Sequence, residues 1–236
     1  MGMIALTGEP DGPPLRVPLP AVDLVTGMYA AQSVLAALLR RGRTGRGALL
    51  DCAMLDAAAS LTSAAGVLWM TGYTTPRRTG SQSDLFVPSA VFETADGDHV
   101  QVVAIGDGHW AALSRALGHP EWAEDERFAT AAARLEHRNE VHSGLAAVLR
   151  TGSAGYWAET IRDAGGFCEP IREIEEVWSD PELARRALIR DLAGPAGDPM
   201  SVPVLTLVPE RPTGTYPAGP ALGQHNGEVL GDVRPG

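Results

Sequence analysis

The sequence predicts an α/β protein built in two parts. Three observations carry this. A helical apolar period over residues 21–41 gives way to a short apolar run and then to a second, Ala-rich helical stretch. Past Gly72 the chain turns polar and rich in Gly and Thr as far as Asp84. Beyond that, two strand-like runs flank Ala95-Asp96-Gly97-Asp98, and helical segments follow.

Taken in order, residues 1–20 crowd proline and glycine between Gly8 and Pro14 and read as an extended loop. Val22, Val25, Met28, Tyr29, Gln32, Leu35 and Leu39 recur at steps of three and four, which predicts a largely buried helix over Ala21–Arg41. Arg40, Arg41 and Arg43 suit the negative end of its dipole, and Gly42 and Gly45 supply the stop. Leu49–Ala53 is expected as a short buried strand and Leu55–Met70 as one helix. Strands are expected at 89–94 and 99–104, joined by an Asp-Gly turn. Helices are expected near 110–117, 138–149 and 154–164, with a further stretch over 177–188 interrupted by Asp180-Pro181. From Ala193 the tail is rich in Pro and Gly, with a strand-like run at 202–208.

The 236 residues are 44% hydrophobic and 20% charged, which allows a buried core and argues against wholesale disorder. A formal net charge of -10 argues against nucleic-acid binding and against docking to an anionic membrane. Residues 57–76 carry no charge but hold too many Ser, Thr, Ala and Gly for a membrane span. Two cysteines, Cys52 and Cys168, suggest no disulfide framework, and Cys52 lies in an apolar run that predicts a buried thiol. None of the six histidines pairs at metal-ligand helical spacing, so no metal is expected. With no secretory signal visible, the expected location is the cytoplasm.

Five segments in order resemble family III coenzyme A transferases, the group that includes formyl-CoA transferase and α-methylacyl-CoA racemase. They are Gly2–Pro14 with Arg16-Val17; Asp23 and Thr26-Gly27 leading to Leu35–Leu39; Arg43–Gly47 with Asp51 and Met54–Ala57; Phe92–Gly97 with Trp110, Leu117-Gly118 and Pro120–Trp122; and Leu222–His225 with Glu228–Leu230. The resemblance implies part of a Rossmann-like large domain (1–72, with 192–236 returning to it), a linker (73–84) and a small α+β domain (85–191). It implies coenzyme A transfer between an acyl-CoA and a carboxylic acid through an aspartyl intermediate. Coenzyme A is then a substrate and no cofactor is permanently bound. The family's nucleophilic Asp would precede Met1, so the chain reads as lacking the N-terminal half and as inactive alone. Family members form interlocked homodimers; a homodimer, or a partner chain supplying the missing half, is the expected assembly. An acyl-CoA racemase of the same fold and a non-catalytic subunit are the alternatives.

The resemblance also points to positions near substrate. Gly80-Ser81-Gln82-Ser83-Asp84 matches the place of a glycine-rich loop that covers the family's site, though it is no glycine run; it reads equally as a plain interdomain loop. Asp107 matches a position that is Glu in the racemases, and helix capping is its competing role. Gly106–Ala111 imitates a dinucleotide fingerprint, but its preceding strand pairs by hairpin and heads no βαβ unit. Asp51 and Asp56 read as structural acids at a helix start, Arg77-Arg78 as a solvated pair with contact to coenzyme A phosphates as the alternative, and Trp110, Trp122, Trp157 and Trp178 as core or interface anchors.

Overall fold

The computed structural model describes residues 2–193, 199–203 and 220–231. The chain divides into two units, Met1–Ile171 and Arg172–Gly236.

The first unit holds a packed core between Val87 and Cys168. β1 (Ser89–Glu93), β2 (His99–Val103) and β3 (Phe167–Pro170) form an antiparallel sheet in that order. Gly97, at a φ of 84°, makes the β1–β2 turn. Period-two alternation turns Ala90 and Phe92 of β1, Val100 and Val102 of β2 and Cys168 of β3 inward. Three helices meet this face: α4 (Asp107–Ala116), α6 (Arg138–Leu149) and α7 (Ala154–Asp163). They bury Trp110 and Leu113, Leu145 and Leu149, and Ile161, all at 1% exposure or less. Each such side chain contributes roughly 1.5–3 kcal/mol. Between α4 and α6 lie a 3₁₀ turn at Pro120–Ala123 and the short α5 (Ala131–Glu136). Asp96 fastens the hairpin to the start of α7, accepting from Thr94 Oγ1 at 2.6 Å and from the Ala154 amide at 3.2 Å.

The first seventy residues differ from expectation. α1 forms over Ala21–Thr44 and ends on Gly45 at a φ of 68°, but none of its residues is buried. The predicted strand at 49–53 is absent, and Leu49 is 99% exposed. No strand among the described residues offers an edge to that stretch, and an isolated strand cannot satisfy its own backbone. The single helix expected at 55–70 is two, α2 (Met54–Leu61) and α3 (Ser63–Met70). They part at Thr62, whose hydroxyl turns back to the Ala58 and Ala59 carbonyls. Cys52 is half-buried, not buried. By length and composition α1 is long and apolar enough to cross a membrane, a measure that core helices of soluble proteins also meet.

In the second unit, α8 (Ile174–Trp178) and α9 (Pro181–Arg185) replace the interrupted helix. Asp180 caps α9 by accepting from the Glu182 amide. β4 (Ile189–Ala193) and β5 (Pro199–Pro203) pair antiparallel, and α10 (Asn226–Leu230) follows. The expected run at 202–208 meets β5 at its start; residues 204–208 lie outside the described residues.

His142 on α6 tests the packing of that helix on β1. Its ring meets Phe92 edge-on at 5.7 Å, and its buried Nε2 has no hydrogen-bond partner. Burial, with the Arg138 charge adding, holds the imidazole below its usual value. The unfolded chain therefore takes up this proton first, so stability falls as the pH drops below the ordinary His range and levels once the folded form also protonates. We expect urea midpoints at pH 5 and pH 7 to differ less for His142→Gln than for the parent chain. Equal differences would contradict this.

Candidate functional site

The segment matched to the family's covering loop is tied at both ends. Gly80, at a φ of 62°, donates its amide to the Gly8 carbonyl at 3.0 Å. A side chain there would be strained by backbone alone and would also meet the Glu9 carboxylate. Gly8 is in the same position, because a Cβ would lie 2.7 Å from the Pro13 carbonyl oxygen. Thr79 Oγ1 donates to the Gln82 carbonyl at 2.6 Å and closes the turn. Ser81 accepts from the Val91 amide, Gln82 bridges to Ala90, and Ser83 donates its amide to Ser89. The Ser83 hydroxyl then accepts the Leu85 amide at 3.1 Å. The loop thus runs from the N-terminal turn to the edge of β1.

Its last residue, Asp84, is clamped by two arginines, Arg138 Nη1 at 2.8 Å and Arg77 Nε at 3.3 Å. Burial works to raise the Asp84 carboxyl, but the hydrogen bonds and charges of Arg138 and Arg77 outweigh it and hold it below the usual carboxylate range. Arg78 donates from Nε to the Glu9 carbonyl. Arg77 stays largely in solvent, its side chain 73% exposed, while it pairs with Asp84 and Arg78 reaches the Glu9 backbone.

Asp107 is no cap. Gly106 occupies the cap position of α4 and no side chain caps it; Asp107 stands one residue inside. Its carboxylate turns instead to Arg134 Nη2 at 3.1 Å. Arg134, on α5, is fully buried. It donates from Nε to the Val87 carbonyl at 2.9 Å and from Nη1 to the Phe128 carbonyl at 2.8 Å, and lies 5.4 Å over the Trp110 ring. Among the described residues no hydrogen bond joins Gly80–Ser83 to Asp107 directly; the link runs through Arg134 and the strand-ward end of the loop at Val87. The sequence reading missed Arg134. The only signal was a lone basic residue in the apolar stretch 131–135.

Asp51 and Asp56 line a cleft of about 180 Å³ with Thr26, Tyr29, Gln32 and Cys52, between α1 and the start of α2. Asp56 stands in the first turn of α2, favourably placed on its dipole. The Tyr29 and Ser60 hydroxyls hydrogen-bond across the two helices. Cys168 is an inert core thiol, pushed up to about 11 by burial with the Glu169 charge adding. Among the described residues no group of His, Cys, Asp and Glu is arranged to hold a metal ion. Trp110 and Trp157 are core anchors, as read from the sequence; Trp122 stacks between Trp110 and His119, while Trp178 is 41% exposed.

Residues 1–226 match CoA-transferase family III. The chain is 33% identical over 234 residues to a succinyl-CoA--D-citramalate CoA-transferase of Chloroflexus aurantiacus, covering 98% of this chain and 58% of that protein. It is 31% identical over 241 residues to a succinate--glutarate CoA-transferase of Agrobacterium fabrum, with the same coverage. Among solved structures, Rv3272 from Mycobacterium tuberculosis in its orthorhombic form gives a TM-score of 0.78 at 27% identity, covering 97% of this chain and 60% of that one. A CaiB/BaiF family protein from Brucella suis gives 0.71 at 26%, covering 99% and 60%. The chain therefore spans less than two thirds of the length of each of these relatives. Match, relatives and shared α/β fold agree: the chain belongs to CoA-transferase family III.

Proposed function

We propose that this chain is one portion of an enzyme that moves coenzyme A between an acyl-CoA and a carboxylic acid, with the nucleophilic aspartate on a segment the chain does not span. The observation that supports this reading is the family match over residues 1–226 by a chain covering 58% of two named CoA-transferases. In the proposed cycle the aspartate carboxylate attacks the donor thioester and coenzyme A leaves as thiolate. The thiolate then attacks the aspartyl carbonyl of the mixed anhydride and releases the donor acid. The acceptor carboxylate next attacks the aspartyl thioester, and the expelled thiolate takes the acceptor acyl group from the second anhydride, freeing the aspartate. Covalent catalysis divides one exchange between weak electrophiles into easier steps. The anhydrides must be kept from water, and the anchored loop Gly80–Ser83 is the proposed cover. Asp107, fixed by Arg134, is the proposed contact near the substrate. The proposed partner is a second polypeptide portion, with no cofactor beyond coenzyme A itself.

The test gives succinyl-CoA and glutarate to the isolated chain. A parallel sample holds the same chain joined behind the segment that precedes the matched region in the Agrobacterium fabrum relative. Glutaryl-CoA is expected in the second sample and not in the first. Transfer by the isolated chain, or a covalent acyl or coenzyme A adduct on any residue from Met1 to Gly236, would overturn the reading.

A further inference from the structure

Two arginines near the junction of α5 and α6 hold one short segment between them. Arg138, the first residue of α6, donates from Nη1 to the Asp84 carboxylate at 2.8 Å, at the end of the loop. Arg134, on α5, donates from Nε to the Val87 carbonyl at 2.9 Å. Neither end of residues 84–87 can move without breaking one of these bonds. At its other end the loop rests on Gly80, bonded to the Gly8 carbonyl, and Ser83 pairs with Ser89 of β1. One arm of Arg134 leads away from the loop. Its Nη2 meets Asp107 Oδ1 at 3.1 Å, at the start of α4. The two partners differ sharply in exposure: the Arg134 side chain is fully buried, while that of Asp107 is 59% exposed. A buried guanidinium is costly to desolvate, and an exposed carboxylate repays less of that cost than a buried one. For stability alone the arrangement is poor. What it achieves is a connection between an outward-facing acid and the exit of the loop.

We propose that Arg134 is a positioning residue that couples Asp107 to the loop. A group that holds the Asp107 carboxylate in this pose favours the loop docked on β1, and the docked loop favours that group by the same factor. This rests on the reading of Gly80–Ser83 as the cover and of Asp107 as the contact near the substrate. With Asp107 in place, the guanidinium is fixed at three points and keeps its donors on Val87 and Phe128. With Asp107 drawn away, Arg134 loses its one carboxylate partner among the described residues, and its hold on Val87 loosens. The loop then has two states, docked and released, and both Asp107 and the β1 edge bias the choice. A substrate group that donates to the outer Asp107 oxygen thus helps close the cover above itself. Water is shut out while the site is filled, and the cover opens more readily once it is empty.

The experiment follows hydrogen exchange in the full chain, at the Gly80 and Ser83 amides, both of which are hydrogen-bonded. Asp107→Ala should speed their exchange about tenfold, although Asp107 touches neither residue, while β2 keeps its rate. Asp107→Asn still offers Arg134 an acceptor and should fall between the parent and Asp107→Ala. Should Asp107→Ala misfold, Asp107→Ser, too short to reach Arg134, takes its place. Gly80→Val releases the loop directly, because valine is strained at a φ of 62°. In that background Asp107→Ala should change the loop no further. Unchanged loop exchange in Asp107→Ala, an equal rise in β2, no rescue by Asp107→Asn, or a further rise in the Gly80→Val background would each overturn the proposal. The measurement needs neither turnover nor the segment this chain does not span. Coupling in a chain whose joined form transfers no coenzyme A would contradict the transferase reading and leave the coupling standing. Transfer without coupling would overturn the coupling alone.

Discussion

Arg134→Ala is expected to lower the stability of the chain by about 3 kcal/mol, the cost of leaving two buried carbonyls without their charged donor and emptying the space of a buried side chain. The guanidinium ties three segments together: the strand-ward end of the loop at Val87, the turn at Phe128 and the start of α4 at Asp107. Val87 and Phe128 are themselves buried, so their carbonyls would lose a donor with no water at hand. The Trp110 ring would lose the cation above it. Burial lowers the Arg134 pKa and Asp107 partly restores it, but an arginine stays charged at any ordinary pH. Arg134→Lys is expected to recover little, because one ammonium cannot reach three acceptors in a planar fork. Asp107→Asn keeps an acceptor for Nη2 and should cost less than Arg134→Ala. Arg127→Ala is the control: it sits on the surface, paired with Asp125 and Glu140. Urea midpoints at constant slope decide the order. A loss for Arg134→Ala no larger than for Arg127→Ala would show that the buried network does not hold the loop and α4 together.

How much of this was legible in the sequence depended on where each element finds its partners. α6 and the β1–β2 hairpin follow from local patterns, a 3.6-residue period in one and alternation around Asp-Gly in the other. Their partners lie within the stretch 87–168, so pattern and packing agree. β3 was missed because four residues after Gly165-Gly166 are too few to show a period. The strand at 49–53 was expected and is absent, since an apolar run forms a strand only beside another strand. Arg134 has the longest reach: its Val87 acceptor lies 47 residues away, and no local pattern records that. The loop at Gly80–Ser83 was singled out by resemblance alone, and its anchoring to Gly8 and β1 rests on contacts that no local pattern records. α1 was rightly read as a helix. It was wrongly read as buried, because periodicity shows which face seeks a partner and not whether this chain supplies one.

The same contrast sets the second large effect. Strong protection from hydrogen exchange is expected within residues 85–191, centred on Val100, Val102, Leu113, Leu145, Leu149 and Ile161, all at 1% exposure or less. Ala21–Met70 holds only two buried residues, Ala57 and Ala58, and leaves Leu24, Leu35, Leu39, Leu55, Val67, Trp69 and Met70 each more than half exposed. Helices so placed have their backbone bonds but little packing to hold them, and they are expected to open orders of magnitude more often than the core.

Hydrogen exchange followed by mass spectrometry on a monomeric sample therefore tests most directly the claim that residues 21–70 belong to a larger assembly. The predicted result is slow exchange concentrated on the stretch 87–168 and fast exchange across Ala21–Met70, with α1 becoming protected only as the chain associates. Slow, uniform exchange across Ala21–Met70 in a monodisperse monomer would contradict it, by showing that this chain already supplies every contact those helices need.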